Sequence, residues 1–173
     1  EEVKLVKKRV QFFSENRNWY DKKGIPYQLG IMLSGIPGSG KTSIIKAIAN
    51  YTKRHVINVN FANIQTASQL KDLFFSDRIN IYEDQHCISS KSLRIPTHEK
   101  LFVLEEIDTL GEIVRQRDPS KDDAKKVIND ELTIGEILNV LDGTQEVPGR
   151  MVIMTSNHPE VLDKALIRPG RID

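Results

Sequence analysis

The chain has 173 residues, and 25 Lys and Arg against 24 Asp and Glu leave a formal net charge of +1, so it has no global basic field that would argue for nucleic acid. The length suits a single domain that buries about 70% of its unfolded surface. Cys87 stands alone, which excludes an internal disulfide and fits a reducing compartment, and Cys87 beside His86 does not make a metal site; no apolar run nears the ~20 residues of a membrane helix.

In chain order, Val3, Val6, Val10 and Phe13 predict an amphipathic opening helix. Residues 16–27 read as a polar, aromatic-bearing connection with Gly24 and Pro26. Ile31-Met32-Leu33-Ser34 reads as a buried strand, followed at once by a glycine-rich loop. Ile44, Ala47, Ile48 and Tyr51 then fall at i, i+3, i+4 and i+7, the spacing of one apolar helical stripe. Residues 56–59 predict a second strand and 68–75 a short helix, while 77–100 read as long, polar and irregular. Residues 101–104 predict a third strand, and the heavily charged stretch 115–130 a mobile loop. Ile134, Ile137, Leu138 and Leu141 predict a helix closed by Gly143. Residues 151–155 predict a fourth strand, and 161–166 a short helix ended by Pro169-Gly170.

Alternating helices and continuously apolar strands imply an α/β fold with a mainly parallel sheet covered on both faces. Ligands in such folds bind at the C-terminal ends of the strands. Short basic runs such as Lys7-Lys8-Arg9 and Lys125-Lys126 are interleaved with acids and read as solvated faces.

The glycine-rich loop is Gly35-Ile36-Pro37-Gly38-Ser39-Gly40-Lys41-Thr42, a full match to G-x-x-x-x-G-K-[ST] set between a strand and a helix. Glycines let successive backbone N–H groups turn inward around phosphates. The lysine of this pattern reaches the β- and γ-phosphates, its Ser/Thr hydroxyl can ligate Mg²⁺, and the helix N-terminus favours the anion. Three further strand-end groups follow. Leu101-Phe102-Val103-Leu104 delivers Glu105 and Glu106, one suited to a Mg²⁺ shell and its neighbour to orienting or deprotonating water. Thr155-Ser156-Asn157 places an amide where it can bond an attacking water or the γ-phosphate. Arg168-Pro169-Gly170-Arg171 sets two arginines around a rigid turn, suited to bidentate phosphate contacts across a subunit interface.

These stretches (GIPGSGKT, LFVLEEID, MTSN and ALIRPGRID) together resemble the AAA family of P-loop ATPases, and the resemblance spans nearly the whole chain. Asn18-Trp19-Tyr20, Gly24-Ile25-Pro26-Tyr27, Leu138-Asn139-Val140-Leu141-Asp142-Gly143 and Thr155-Ser156-Asn157-His158 are similar to one branch, that of the mitochondrial inner-membrane chaperone that moves the Rieske iron–sulfur protein across the membrane. That branch also carries Glu at the position of Glu105, where most of the family has Asp; it usually has Asp at the position of Glu106.

The resemblance implies a three-layer α-β-α P-loop NTPase core over residues 1–173, the large AAA subdomain. It places a fifth strand and a helical lid after the Arg-Gly-Arg turn, so the chain reads as an excised piece of a longer protein in which the first strand becomes a sheet edge. The same resemblance implies ATP and Mg²⁺ as cofactors. Lys41 would bind the β- and γ-phosphates within the loop Gly35–Thr42, Thr42 would ligate the metal, and Glu105 would hold a metal-bound water. Glu106 would be the catalytic base, Asn157 the sensor of the γ-phosphate, and Arg168 and Arg171 the residues that reach a neighbouring subunit in a ring.

No glycine stands between Gly40 and Gly111, so the aromatic–apolar–glycine pore loop of unfolding rings is absent, in accord with a branch that moves folded cargo. The leading expectation is Mg-dependent ATP hydrolysis driving a ring-shaped chaperone or protein translocase. Two alternatives stay open: a nucleotide-gated scaffold in which Glu105 misplaces the metal, and a DNA-directed AAA loader, against which the near-neutral charge and the branch motifs weigh. A protein cargo and no nucleic acid are expected as partners. A membrane is expected only through segments outside this chain, with the mitochondrial inner membrane as the location the branch implies and the cytoplasm otherwise.

Overall fold

A computed structural model describes residues 2–64, 66–81, 91–108, 132–142, 145–168 and 172. Two helices, α1 (Glu2–Glu15) and α2 (Arg17–Lys23), lead into β1 (Gln28–Ser34), α3 (Lys41–Thr52) and β2 (His55–Asn58). Next come α4 (Ala67–Phe75), the hairpin strands β3 (Arg78–Ile81) and β4 (Lys91–Arg94), β5 (Lys100–Leu104), α5 (Ile134–Asp142) and β6 (Arg150–Ser156).

The main sheet is parallel throughout, in the order β1-β6-β5-β2. Period-two alternation splits its side chains between two cores. Leu29, Ile31, Leu33, Leu101, Val103, Met151 and Ile153 pack toward α1 and α3, with Val10, Phe13, Ile45, Ile48 and Ala49. Phe102, Leu104, Val152 and Met154 pack the other way, against Leu70 and Phe74 of α4 and Ile137, Val140 and Leu141 of α5. The result is the expected three-layer sandwich. β5 and β6 are buried along their whole length, as strands covered on both faces must be. β1 lies at one edge, as expected, and buries only alternate residues.

Several readings of local structure change. Residues 16–27 are not merely a connection, because α2 forms there and is closed by Gly24 in the left-handed region at φ 63°. Its Trp19 and Tyr20 pack edge-on against Phe12 and Phe13, and Phe13 stacks on Tyr27 at 4.5 Å, so aromatic contact rather than an aliphatic stripe holds it. The buried stripe of α3 is Ile45, Ile48 and Ala49, one residue on from the predicted phase; Tyr51 is 48% exposed. Adjacent Ile44 and Ile45 make both phases legible in the sequence, and the sheet selects one. In α1, Val10 and Phe13 are buried but Val3 is exposed.

Residues 77–100 are not simply irregular. Arg78 to Ile81 pairs antiparallel with Lys91 to Arg94, with Arg78 opposite Arg94. Residues 161–166 form no helix; a 3-10 turn at Pro159–Val161 precedes further turns. The predicted loop at 115–130, the Gly143 cap, Cys87 and His86 lie outside the described residues. A cleft of about 440 Å³, lined by Phe75, Ser76, Asp77, Arg78 and Arg94, sits at the foot of the hairpin and contains none of the predicted site residues.

Three cations brace the ends of the strands, Arg54 half-buried and Lys100 and Arg150 buried. Arg54 donates to the carbonyls of Lys100 (3.0 Å) and Gly149 (2.7 Å). Lys100 is fully buried and donates to the Ser76 carbonyl at 2.6 Å. Arg150 donates to the carbonyls of Val140 and Leu141 at the end of α5, and to Gln28 Oε1 at 2.6 Å.

Candidate active site

Parallel pairing puts the C-terminal ends of β1, β5 and β6 side by side, with Ser34 level with Ser156 and Leu104 level with Met154. Just beyond those ends stand Gly35, Glu105 with Glu106, and Asn157, each a predicted site residue. The loop leaves β1 at Gly35, whose N–H donates to the Ser156 carbonyl at 3.2 Å. It turns through Gly38 (φ 79°) and Gly40 (φ 92°), left-handed conformations that a side chain would strain, and opens α3 at Lys41. Ile36 is 76% exposed at the lip of the loop, and Ser39 closes back on it by donating its N–H to the Ile36 carbonyl. Pro37 fixes the turn between them.

Lys41 Nζ folds over this loop. It donates to the carbonyls of Gly35 (2.6 Å) and Ile36 (3.2 Å), and to Asn157 Oδ1 at 2.7 Å. Sequence reading made Lys41 and Asn157 members of one site, and the fold joins them directly. Thr42 Oγ1 lies 3.5 Å from Glu105 Oε1, and Asn58 Nδ2 donates to Glu105 Oε2 at 3.4 Å. The extra methylene of Glu relative to Asp is accommodated by this arrangement, with one carboxylate oxygen toward Thr42 and the other toward Asn58. A threonine hydroxyl and a carboxylate facing each other are hard oxygen donors. They fit Mg²⁺, which takes one or two protein oxygens and completes its shell with phosphates and water.

Glu106 is exposed and sits at φ 51°, in the left-handed region. Non-glycine residues adopt that region at a cost and are concentrated at functional sites. Its N–H donates to Thr155 Oγ1 at 2.9 Å. Asp108 Oδ1 accepts the Asn157 N–H at 3.1 Å. Burial alone raises the Asp108 carboxyl, but hydrogen bonds from Ser156 and from the backbone N–H groups of Asp108 and Asn157, with the nearby His158, outweigh it and leave the carboxyl below its ordinary range.

Arg168 is exposed, and among the described residues no hydrogen bond or ion pair joins it to the loop; Arg171 lies outside the described residues. Sequence reasoning passed over Asn58, Asp108 and Thr155. Their roles depend on strand register, and only the bare position of an acid two residues past Glu106 pointed to any of them.

Comparison with known proteins agrees with this geometry. Residues 31–173 match the family model "ATPase family associated with various cellular activities (AAA)". The chain is similar to the "Probable mitochondrial chaperone bcs1" of Schizosaccharomyces pombe, with 35% identity over 170 residues that cover 98% of this chain and 32% of that protein. It is also similar to "Mitochondrial chaperone BCS1" of Homo sapiens, 36% identical over 95% of this chain and 34% of that protein. A plant relative, "AAA-ATPase At2g18193" of Arabidopsis thaliana, is 32% identical over 95% of this chain and 29% of that protein. The chain thus spans about a third of the length of these relatives. A phosphate loop with its lysine bonded to a strand-end asparagine, an acidic pair on the neighbouring strand and a family match over residues 31–173 lead to one assignment: the chain belongs to the AAA family of ATPases.

Proposed function

We propose that residues 1–173 form an AAA nucleotide-binding core that binds ATP with Mg²⁺ and hydrolyses its β–γ phosphoanhydride. The observation that carries this reading is the convergence of Lys41 Nζ on Asn157 Oδ1, with Thr42 and Glu105 facing each other alongside. The loop N–H groups from Gly35 to Thr42 wrap the phosphates. Lys41 exchanges its three carbonyl contacts for β- and γ-phosphate oxygens. Thr42 and Glu105 would hold Mg²⁺, Glu105 through a bound water; the ion supplies charge neutralisation across the phosphates. Glu106 takes the proton of a water aligned on the γ-phosphorus, and Asn157 orients that water or the γ-phosphate. Arg168 and Arg171 act in trans on the nucleotide of an adjoining subunit, which makes the working form a ring.

The relatives named as mitochondrial chaperones support the finer reading: ATP turnover drives a chaperone or translocase acting on a protein cargo, in mitochondria. Among the described residues no helix is long and apolar enough to cross a membrane.

Glu106→Gln in the full-length protein is the test. ATP should still bind and be trapped while turnover falls by about 10²- to 10⁴-fold, the weight of a general base. Wild-type protein that binds ATP without turnover would instead identify a nucleotide-gated scaffold.

A further inference from the structure

We propose that Thr155 and Asp108 are positioning residues that lock the hydrolytic Glu106 and the sensor Asn157 into one unit. This rests on the hydrolase reading above. The paired ladder between β5 and β6 ends at Leu104 and Met154. Beyond it the two chains are held by a reciprocal clasp. From the β6 side, Thr155 Oγ1 accepts the Glu106 N–H at 2.9 Å. From the β5 side, Asp108 Oδ1 accepts the Asn157 N–H at 3.1 Å. Each strand's side chain thus satisfies the backbone of the other strand's functional residue.

The clasp has the features of a rigid support. Thr155 is 3% exposed and Ser156, which hydrogen-bonds the Asp108 carboxyl, is fully buried. Ile107, between the two acids, is 2% exposed and anchors the turn in the core. Glu106 is held at φ 51°, a conformation that persists only where surrounding bonds over-determine it. The Thr155 hydroxyl bonds the amide of that very residue.

The clasp also completes a path. Lys41 bonds the Asn157 side chain, Asp108 bonds the Asn157 backbone, and Thr155 bonds Glu106. A γ-phosphate that displaces Asn157 from Lys41 therefore acts on a residue already tied to the turn bearing the base. Neither Thr155 nor Asp108 touches the reacting atoms in this arrangement; both act through Glu106 and Asn157.

The test uses the full-length protein, steady-state ATP turnover and calorimetric ADP affinity, with four variants. Thr155→Val keeps the shape but removes the acceptor, and Thr155→Ser keeps the acceptor. Asp108→Ala removes the acceptor, and Asp108→Asn keeps an Oδ1. The expected result is a kcat lowered about 10- to 100-fold in Thr155→Val and Asp108→Ala, the scale of a small misplacement of reacting groups, with KM and ADP affinity unchanged. Thr155→Ser and Asp108→Asn should recover most of that kcat. Unchanged kcat in the two acceptor-deleted variants overturns the proposal. So does a joint fall of kcat and ADP affinity that the conservative variants fail to rescue, which would mark a purely structural role. A wild-type protein without turnover overturns the hydrolase reading and this inference with it, an outcome visible before any variant is measured.

Discussion

Lys41 Nζ lies 2.7 Å from Asn157 Oδ1, although 116 positions separate the two residues in the chain. Lysine only donates, so the amide must present its oxygen to the ammonium. The ammonium is held in this position by the Gly35 and Ile36 carbonyls as well. These neutral acceptors are weaker partners than phosphate oxygens, because charge on both donor and acceptor strengthens the bond.

Lys41→Ala is therefore expected to weaken ATP binding strongly. A hydrogen bond to a charged group contributes about 1.5–3 kcal/mol, which corresponds to roughly a 10- to 150-fold rise in Kd. Lys41→Arg should not rescue it, since a planar guanidinium cannot replace a compact ammonium inside the loop. Calorimetric titration of ATP into both variants checks this; binding within twofold of wild type would remove Lys41 from the phosphate site.

Asn58→Ala tests the support of Glu105. Asn58 Nδ2 is 3.4 Å from Glu105 Oε2 and turns the other carboxylate oxygen toward Thr42. Groups that orient a metal-binding carboxylate typically change metal affinity 10- to 100-fold when removed, so the Mg²⁺ concentration for half-maximal turnover should rise by about tenfold. Turnover at saturating Mg²⁺ should recover. Unchanged Mg²⁺ dependence would mean that Glu105 reaches its place without Asn58.

The phosphate loop was legible because Gly35 to Thr42 is a constrained pattern, and β5 and β6 because a strand buried on both faces carries a continuous apolar run; the edge strands β1 and β2 showed only short runs, Ile31 to Leu33 and Val56-Ile57. The hairpin was not legible. β3 alternates Arg78 and Asn80 with Ile79 and Ile81 over only four residues, and β4 carries Leu93 as its one apolar residue, so no period stands out from a polar stretch. Helix α2 was missed because its contacts are between aromatic rings rather than along an aliphatic stripe. Within the site, Lys41, Thr42 and the acidic pair could be read from local pattern. Asn58, Thr155 and Asp108 could not, since each acts on a residue of a neighbouring strand and is placed by register. The bracing cations gave no signal either, because Lys100 and Arg150 at strand starts, and half-buried Arg54 just before β2, look like the solvated basic residues found there on many surfaces.

The Asp108 carboxyl gives the site an acid limit. Its pKa is lowered in the fold, so the unfolded chain takes up the proton first as pH falls. Its contribution to stability is fully present above its ordinary value of 3.8 and is lost as pH drops through the lower folded value. Asp108→Asn, which cannot ionise, should be less stable than wild type at neutral pH, and the gap should close below pH 3.8. Urea midpoints of both proteins across that range measure it; a gap that stays constant with pH would show that the carboxylate charge contributes nothing.

Arg150 is the sharpest stability test. It is 3% exposed at the first position of β6 and donates to the Val140 and Leu141 carbonyls and to Gln28 Oε1. Burial pushes its guanidinium down to about 10, with Asp142 partly opposing the shift, so it stays charged at neutral pH. The side chain satisfies carbonyls at the end of α5 that the helix leaves without partners, and links that helix to the edge strand β1 through Gln28. Arg150→Met has similar length and no donors. It removes the desolvated charge but leaves buried acceptors unpaired, each at about 1–3 kcal/mol, so a net loss of roughly 2–4 kcal/mol is expected in denaturant unfolding. Gln28→Leu should cost less, since Arg150 keeps both helix carbonyls. The double variant should then lose little more than Arg150→Met alone, because the two residues share one bond. Strictly additive losses would show that Arg150 and Gln28 act independently, and that β1 is not held to α5 through this side chain.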